Sequence, residues 1–247
     1  MTRLFFLHAL GASARSWDRV IEALPGHDNV ALDLPGFGDN AAMGHWSVVD
    51  TLHWFAGEVA RYDSARWIVV GHSMGGKIAT LTAARRPAGL AGVVLVAASP
   101  PAPEPMDEAR RAEMLDWFAN GPATQAQAEK FVAANTAGPL PHNLAEKAIA
   151  DVRGSSPAAW RGWLKEGARE DWDAKAGVIN LPALIVAGAE DGDLGEDAQR
   201  RLNAPHYTHP RVEVIAEAAH LIPYEKPEAL AALIAAHVRH IKQEGER

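Results

Sequence analysis

A chain of 247 residues, 48% hydrophobic and 22% charged, is long enough to bury a sizeable core in one domain with room for an inserted lobe. A formal net charge of −7 with no long basic run argues against nucleic acid or an anionic membrane surface as partner. The chain has no cysteine, which excludes disulfides and thiolate metal sites.

Residues 3–8 read as a strand. Arg3, the apolar run 4–7 and Ala12-Ser13-Ala14 imitate a secretory leader, but His8 interrupts the run and cleavage would delete a strand the fold needs. A cytoplasmic location is therefore expected, and no apolar run is long enough to span a bilayer. After a turn at 11–13, Trp17, Val20, Ile21 and Leu24 mark one face of a helix that stops at Pro25-Gly26. A second strand at 30–34 runs into Asp33-Leu34-Pro35-Gly36-Phe37-Gly38, where Asp33 reads as a turn-former. Leu52, Phe55, Val59 and Tyr62 form the apolar stripe of the next helix.

The third strand, 67–70, leads through Gly71-His72-Ser73-Met74-Gly75 into a helix carrying Ile78, Ala79, Leu81, Thr82 and Ala83. Gly-x-Ser-x-Gly between a strand and a helix is the pattern of a nucleophile elbow. Only glycines let strand and helix approach so closely, and the helix N-terminus aims free N–H groups at charge developing beside Ser73. Residues 92–98 are a fourth, almost wholly apolar strand.

The proline-rich run 100–105 then breaks the alternation, and four helical segments follow (106–120, 124–135, 143–152 and 157–170) with no strand between them. Strands resume at 181–187 and 212–215, separated by a helix at 196–202. The last helix, 227–241, has Pro227 in its first turn and buries Leu230, Leu233, Ile234, Val238 and Ile241. The expectation is an α/β fold: a doubly wound, mainly parallel sheet of about six strands, built from 1–99 and 181–247. A helical cap, 100–180, leaves the carboxyl edge of the sheet and is placed as a lid over Ser73.

A serine hydroxyl needs a base. His220, in the loop after the last strand, is carried to the catalytic edge. The imidazole needs an acid to fix its tautomer, and the loop after 184–187 offers Asp191 first, Asp193 second and Glu190 third. Acyl transfer also needs two oxyanion donors: the Met74 N–H is one, and the loop His8-Ala9-Leu10-Gly11 should supply the other. In the lid, Trp117, Phe118, Phe131, Trp160 and Trp163 either pack the helices or line an acyl pocket, with Trp46 a weaker candidate. His8 and His72 read as structural, Lys77 as pointing along its helix to solvent, and His206 with His209 as a surface loop. No metal or cofactor is expected.

The stretches LHALGASARSW (7–17), DLPGFG (33–38), GHSMGG (71–76), GAED (188–191) and AAHLIPYEKPE (218–228) together resemble the α/β-hydrolase superfamily along the whole chain. The resemblance implies the α/β-hydrolase fold, with Ser73 as nucleophile, Asp191 as acid, His220 as base and the Leu10 amide as second oxyanion donor. Members usually carry His-Gly where this chain has His8-Ala9. They commonly begin with an antiparallel hairpin, whereas here Met1 falls almost on the first parallel strand, leaving an exposed sheet edge and a choice between monomer and homodimer. The implied reaction is hydrolysis of a small or medium, mostly apolar carboxylic ester. Leu10-Gly11 followed by Trp17 resembles 3-oxoadipate enol-lactonases, so lactone hydrolysis is the runner-up. Carbon–carbon bond hydrolysis and cofactor-free perhydrolysis use the same residues elsewhere on this scaffold, and a small-molecule receptor without turnover is the distant alternative. Epoxide hydrolases and haloalkane dehalogenases are disfavoured, because they place an aspartate where Ser73 stands.

Overall fold

Leu4, Phe5, Phe6 and Leu7 are apolar on both faces of their strand, so that strand is stable only where both faces are covered. The computed structural model, which describes residues 2–44, 46–62 and 64–244, buries it inside a sheet, paired on both sides. The six strands are β1 (Arg3–Leu7), β2 (Asp28–Leu32), β3 (Trp67–His72), β4 (Leu90–Val96), β5 (Ala183–Gly188) and β6 (Pro210–Ile215). They run in the order β2-β1-β3-β4-β5-β6, every neighbouring pair parallel. The chain first moves outward from β1 to β2, then returns to place β3 on the other side of β1. That reversal opens a crevice at the carboxyl ends of β1 and β3, where open parallel sheets bind ligands.

Alternate strand residues feed two cores. Leu4, Phe6, Ile68, Val70 and Val94 pack against α1 (Asp18–Glu22) and the last helix, which buries Leu230, Ile234, Val238 and Ile241. Phe5, Leu7, Val69 and Leu95 face α2 (Val48–Ala60) and α3 (Met74–Ala84). Between β4 and β5 the described residues form α4 (Glu108–Asp116), α5 (Gln125–Ala134), α6 (His142–Gly154), α7 (Pro157–Gly162) and α8 (Asp173–Ala176), with no strand. Met114, Phe118, Phe131, Trp160 and Leu164 from this segment belong to the same apolar cluster as Phe5 and Ile78, so segment and sheet share one continuous core. The chain ends through α9 (Glu196–Ala198), α10 (Ile222–Glu225) and α11 (Pro227–Glu244). Among the described residues no helix is long and apolar enough to cross a membrane.

Several boundaries differ from the sequence expectation: the strand expected at 92–98 lies at 90–96, the helix expected at 196–202 ends at Ala198 and continues as a π turn, Gln199–Asn203, and three others have a local reason. The second strand lies at 28–32 rather than 30–34, because Asp33 leaves the ladder to accept the amides of Ala14 (2.7 Å) and Asp39 (3.0 Å). The expected helix over Trp17 to Leu24 is a 3-10 turn, Ala14–Trp17, followed by the short α1. The helix expected at 157–170 ends at Gly162 and widens into a π turn, Trp163–Gly167, where a Cβ on Gly167 would strike the Trp163 ring.

Candidate active site

β3 delivers Ser73 to the crevice with φ 49° and ψ −117°, a backbone conformation that costs a non-glycine residue of order 1–3 kcal/mol. Its neighbours hold it there. The Ser73 N–H donates to Val96 O (3.0 Å), and its carbonyl accepts from Gly76 N (2.7 Å) and Ser99 N (3.0 Å). A Cβ on Gly71 would strike the Gly75 carbonyl, and one on Gly75 would strike the Leu7 carbonyl. The two glycines of the motif are thus a steric demand of the turn. Ala97 and Glu217 also carry positive φ, at the carboxyl ends of β4 and β6, while the fourth such non-glycine residue among those described, Arg86, lies past the end of α3.

His220 stands in the loop after β6, only 15% exposed at its side chain, and Asp191 in the loop after β5, 5% exposed. Nδ1–H of His220 donates to Asp191 Oδ2 at 2.8 Å. Burial alone would push the His220 imidazole below its ordinary value. The charge and hydrogen bond of Asp191, with a further contribution from Glu104, outweigh it and leave the ring raised, with Arg110 pulling the other way. Asp191 is held below the usual carboxylate range: burial opposes its ionisation, but the His220 charge and hydrogen bond and the Leu194 and Asp193 amides prevail. Asp193, the second acid by sequence, faces Arg110 instead, with Nη1 to Oδ2 at 2.6 Å. Among the described residues the Ser73 hydroxyl has no hydrogen-bond partner. The residue before it, His72, sets its ring 5.3 Å from that of His220 at a tilt of 42° and donates from Nε2 to the His220 carbonyl at 2.8 Å. Burial and the neighbouring His220 charge push His72 down to about 3, so it stays neutral and anchors the His220 backbone. His8 is also spoken for: Nδ1 donates to Ala9 O (2.8 Å), and Nε2 accepts the Leu34 amide (2.9 Å).

The loop after β1 is tied to the start of α3 by Gly75 N–H donating to His8 O at 3.2 Å. It turns through Gly11 at φ 71°, closed by Ala12 N–H to Ala9 O. Among the described residues the Leu10 and Met74 amides have no acceptor, which leaves both N–H groups available to an incoming oxygen.

A narrow, partly open cleft lies beside Met74, and its lining includes neither Ser73 nor His220. Leu34, Phe37, Trp46, Val48, Ile78 and Trp163 give it apolar walls, Ser47 and Thr51 add hydroxyls, and among the described residues no charged side chain lines it. Of the five lid aromatics, Trp163 lines this cleft and the other four lie elsewhere. Phe118 and Trp160 stack at 4.5 Å inside the helical segment, with Trp160 Nε1–H donating to Met114 O (2.8 Å). Trp160 and Phe131 press on Gly11 from behind, and Trp117 packs edge-on against Phe131. Trp46, the weaker candidate, is a wall residue.

Two expectations are corrected. Lys77 does not reach solvent: it is fully buried, and Nζ donates to the carbonyls of Gly167 (3.0 Å) and Glu170 (3.1 Å), pinning the elbow helix to the π turn. Burial pushes its ammonium down to about 8, with Glu104, Glu170 and Asp171 opposing. The signal was available, because position 77 lies four residues after Ser73 and therefore on the same helix face. His206 is buried between Gly177 O and Asp173 Oδ1, both at 2.9 Å, rather than on a surface loop. Residues that the sequence reading did not single out also bear on the site: Glu104, Arg110, Asn135 and Glu225. Among the described residues no group of three or more His, Cys, Asp or Glu could hold a metal ion.

A family model described as alpha/beta hydrolase fold matches residues 2–227. The chain is 28% identical over 247 residues to a 2-succinyl-6-hydroxy-2,4-cyclohexadiene-1-carboxylate synthase of Enterobacter sp. (strain 638), covering 96% of this chain and 91% of that protein. Among solved structures, the esterase EaEST from Exiguobacterium antarcticum superposes with a TM-score of 0.87 at 16% identity, covering 97% of this chain and 92% of that one. A bromoperoxidase from Bacillus anthracis gives 0.84 at 18% identity, covering 96% and 91%.

Proposed function

The chain belongs to the α/β-hydrolase fold family, and on that premise we propose that it is a serine hydrolase of small or medium, mostly apolar carboxylic esters. The observation that carries this reading is the part-buried His220–Asp191 hydrogen bond at the strand edge that also bears the strained Ser73. In the proposed reaction, Nε2 of His220 takes the Ser73 hydroxyl proton as Oγ attacks the acyl carbon, and the Leu10 and Met74 amides receive the oxyanion. The imidazolium returns the proton to the leaving alcohol, giving an acyl-enzyme. Water, deprotonated by the same imidazole, then releases the acid. The hydroxyl of Ser73 closes on His220 as substrate binds, since such bonds are often loose without it.

The apolar, uncharged cleft supports an uncharged substrate whose acyl or alcohol group lies along Trp163 and Ile78. Residues 100–180 act as the cap over it. A second reading follows from the synthase relative, whose printed name describes a carboxylate-bearing product. The apolar character of the cleft walls at Leu34, Phe37, Val48, Ile78 and Trp163 favours the ester over such a substrate. Lactone hydrolysis would use the same groups and is distinguished by substrate alone. Turnover of p-nitrophenyl esters of graded chain length is expected from the wild type and lost in Ser73→Ala. No turnover on any of them, or full activity in Ser73→Ala, contradicts the proposal.

A further inference from the structure

The acid and the base stand on different strands, and one patch of the helical segment holds both their loops. Arg110, on α4, reaches Asp193 Oδ2 with Nη1 (2.6 Å) and Asn135 Oδ1 with Nη2 (3.1 Å). Asn135 follows α5, and its carbonyl accepts the amides of both His220 (3.1 Å) and Leu221 (2.9 Å). Its own Nδ2 is fixed on Phe131 O at 2.7 Å. Nearby, Glu225 bridges the same two segments, accepting Ala137 N–H (2.6 Å) and Ala219 N–H (3.0 Å). A planar guanidinium holds two acceptors in a fixed fork through separate nitrogens, a geometry that a single ammonium nitrogen does not reproduce.

We propose that Arg110, acting through Asn135, is a positioning residue that locks the loops of Asp191 and His220 in register with Ser73. Without it the helical segment would keep its apolar packing but lose its grip on the Asp193 loop. Arg110 also acts on the base by charge. Asp191 and Glu104 favour the protonated ring of His220, Glu225 faces it as well, His72 is neutral beside it, and Arg110 opposes protonation.

The kinetic arm of the test rests on the serine-hydrolase reading; the spectroscopic arm does not. Arg110→Met is expected to lower kcat by about ten-fold or more with KM within about two-fold, as misplaced groups cost rate rather than binding. The His220 titration, followed by histidine NMR, is expected to move upward, because the guanidinium is gone and Asp193 is left unpaired. Arg110→Lys should hold the titration point near wild type but recover only part of the rate. Thermal melts of all three proteins show that the rates refer to folded chains. Wild-type kcat and an unmoved titration in Arg110→Met overturn the proposal, as does a change confined to KM. A wild-type protein that hydrolyses no ester refutes the proposed reaction instead, and the titration then decides this inference alone.

Discussion

Replacing Asp191 with Asn keeps the shape of the side chain and removes the charge that holds His220. The pair is largely withdrawn from solvent, and its bond is 2.8 Å. In a Ser-His-Asp arrangement the amide leaves the geometry intact but fixes the wrong tautomer of the imidazole, so the rate should fall by about 10²–10⁴. Asp193→Asn touches a pair whose side chains are 35% and 37% exposed, worth about 0–1 kcal/mol, so it should cost about ten-fold or less. The assay is kcat/KM on a p-nitrophenyl ester across pH. In the wild type, rate rises with pH as His220 loses its proton, at a point above 6.5 because Asp191 and Glu104 outweigh burial. In Asp191→Asn burial prevails, so the acid limb should move to lower pH while the plateau drops. An acid limb that moves upward, or a larger loss in Asp193→Asn, refutes the reasoning.

The same pair sets a pH signature in stability. His220 has a raised folded pKa, so its contribution is fully present below 6.5 and lost as pH rises through the folded value; Asp191, depressed, contributes above 3.8 and fails as pH falls. The melting-temperature gap between wild type and His220→Gln should be wider at about pH 5.5 than at about pH 8.5. Lys77→Met strands the Gly167 and Glu170 carbonyls, which should destabilise the chain by about 2 kcal/mol or more and lower Tm by about 4–8 °C. An unchanged melt would mean that the pin is dispensable. Ile78→Ala widens the apolar cleft and should shift preference toward longer chains in the ester series, with the pH profile unaltered.

What the sequence made legible followed from strong local constraints. Ser73 was readable because the turn excludes any side chain at Gly71 and Gly75, which forces the motif. His220 was readable because chain order and strand direction put the loop after β6 at the same edge. The choice between Asp191 and Asp193 needed geometry, since both lie in one loop and only their partners differ. Arg110 and Asn135 gave no periodic or motif signal: their partners lie 83 residues away for Asp193 and on the His220 loop for Asn135. The lid aromatics could be counted but not oriented, because Trp160 and Trp163 differ by three positions and a π turn begins between them. At Lys77 the phase of the helix outweighs the charge, and the side chain is buried.

The most direct test is rapid acid quenching of the protein with a p-nitrophenyl ester, followed by peptide mass mapping. The account predicts a burst of about one nitrophenolate per chain and an acyl adduct on the peptide bearing Ser73, absent in Ser73→Ala. Steady turnover with no adduct, or an adduct mapped to another residue, contradicts it.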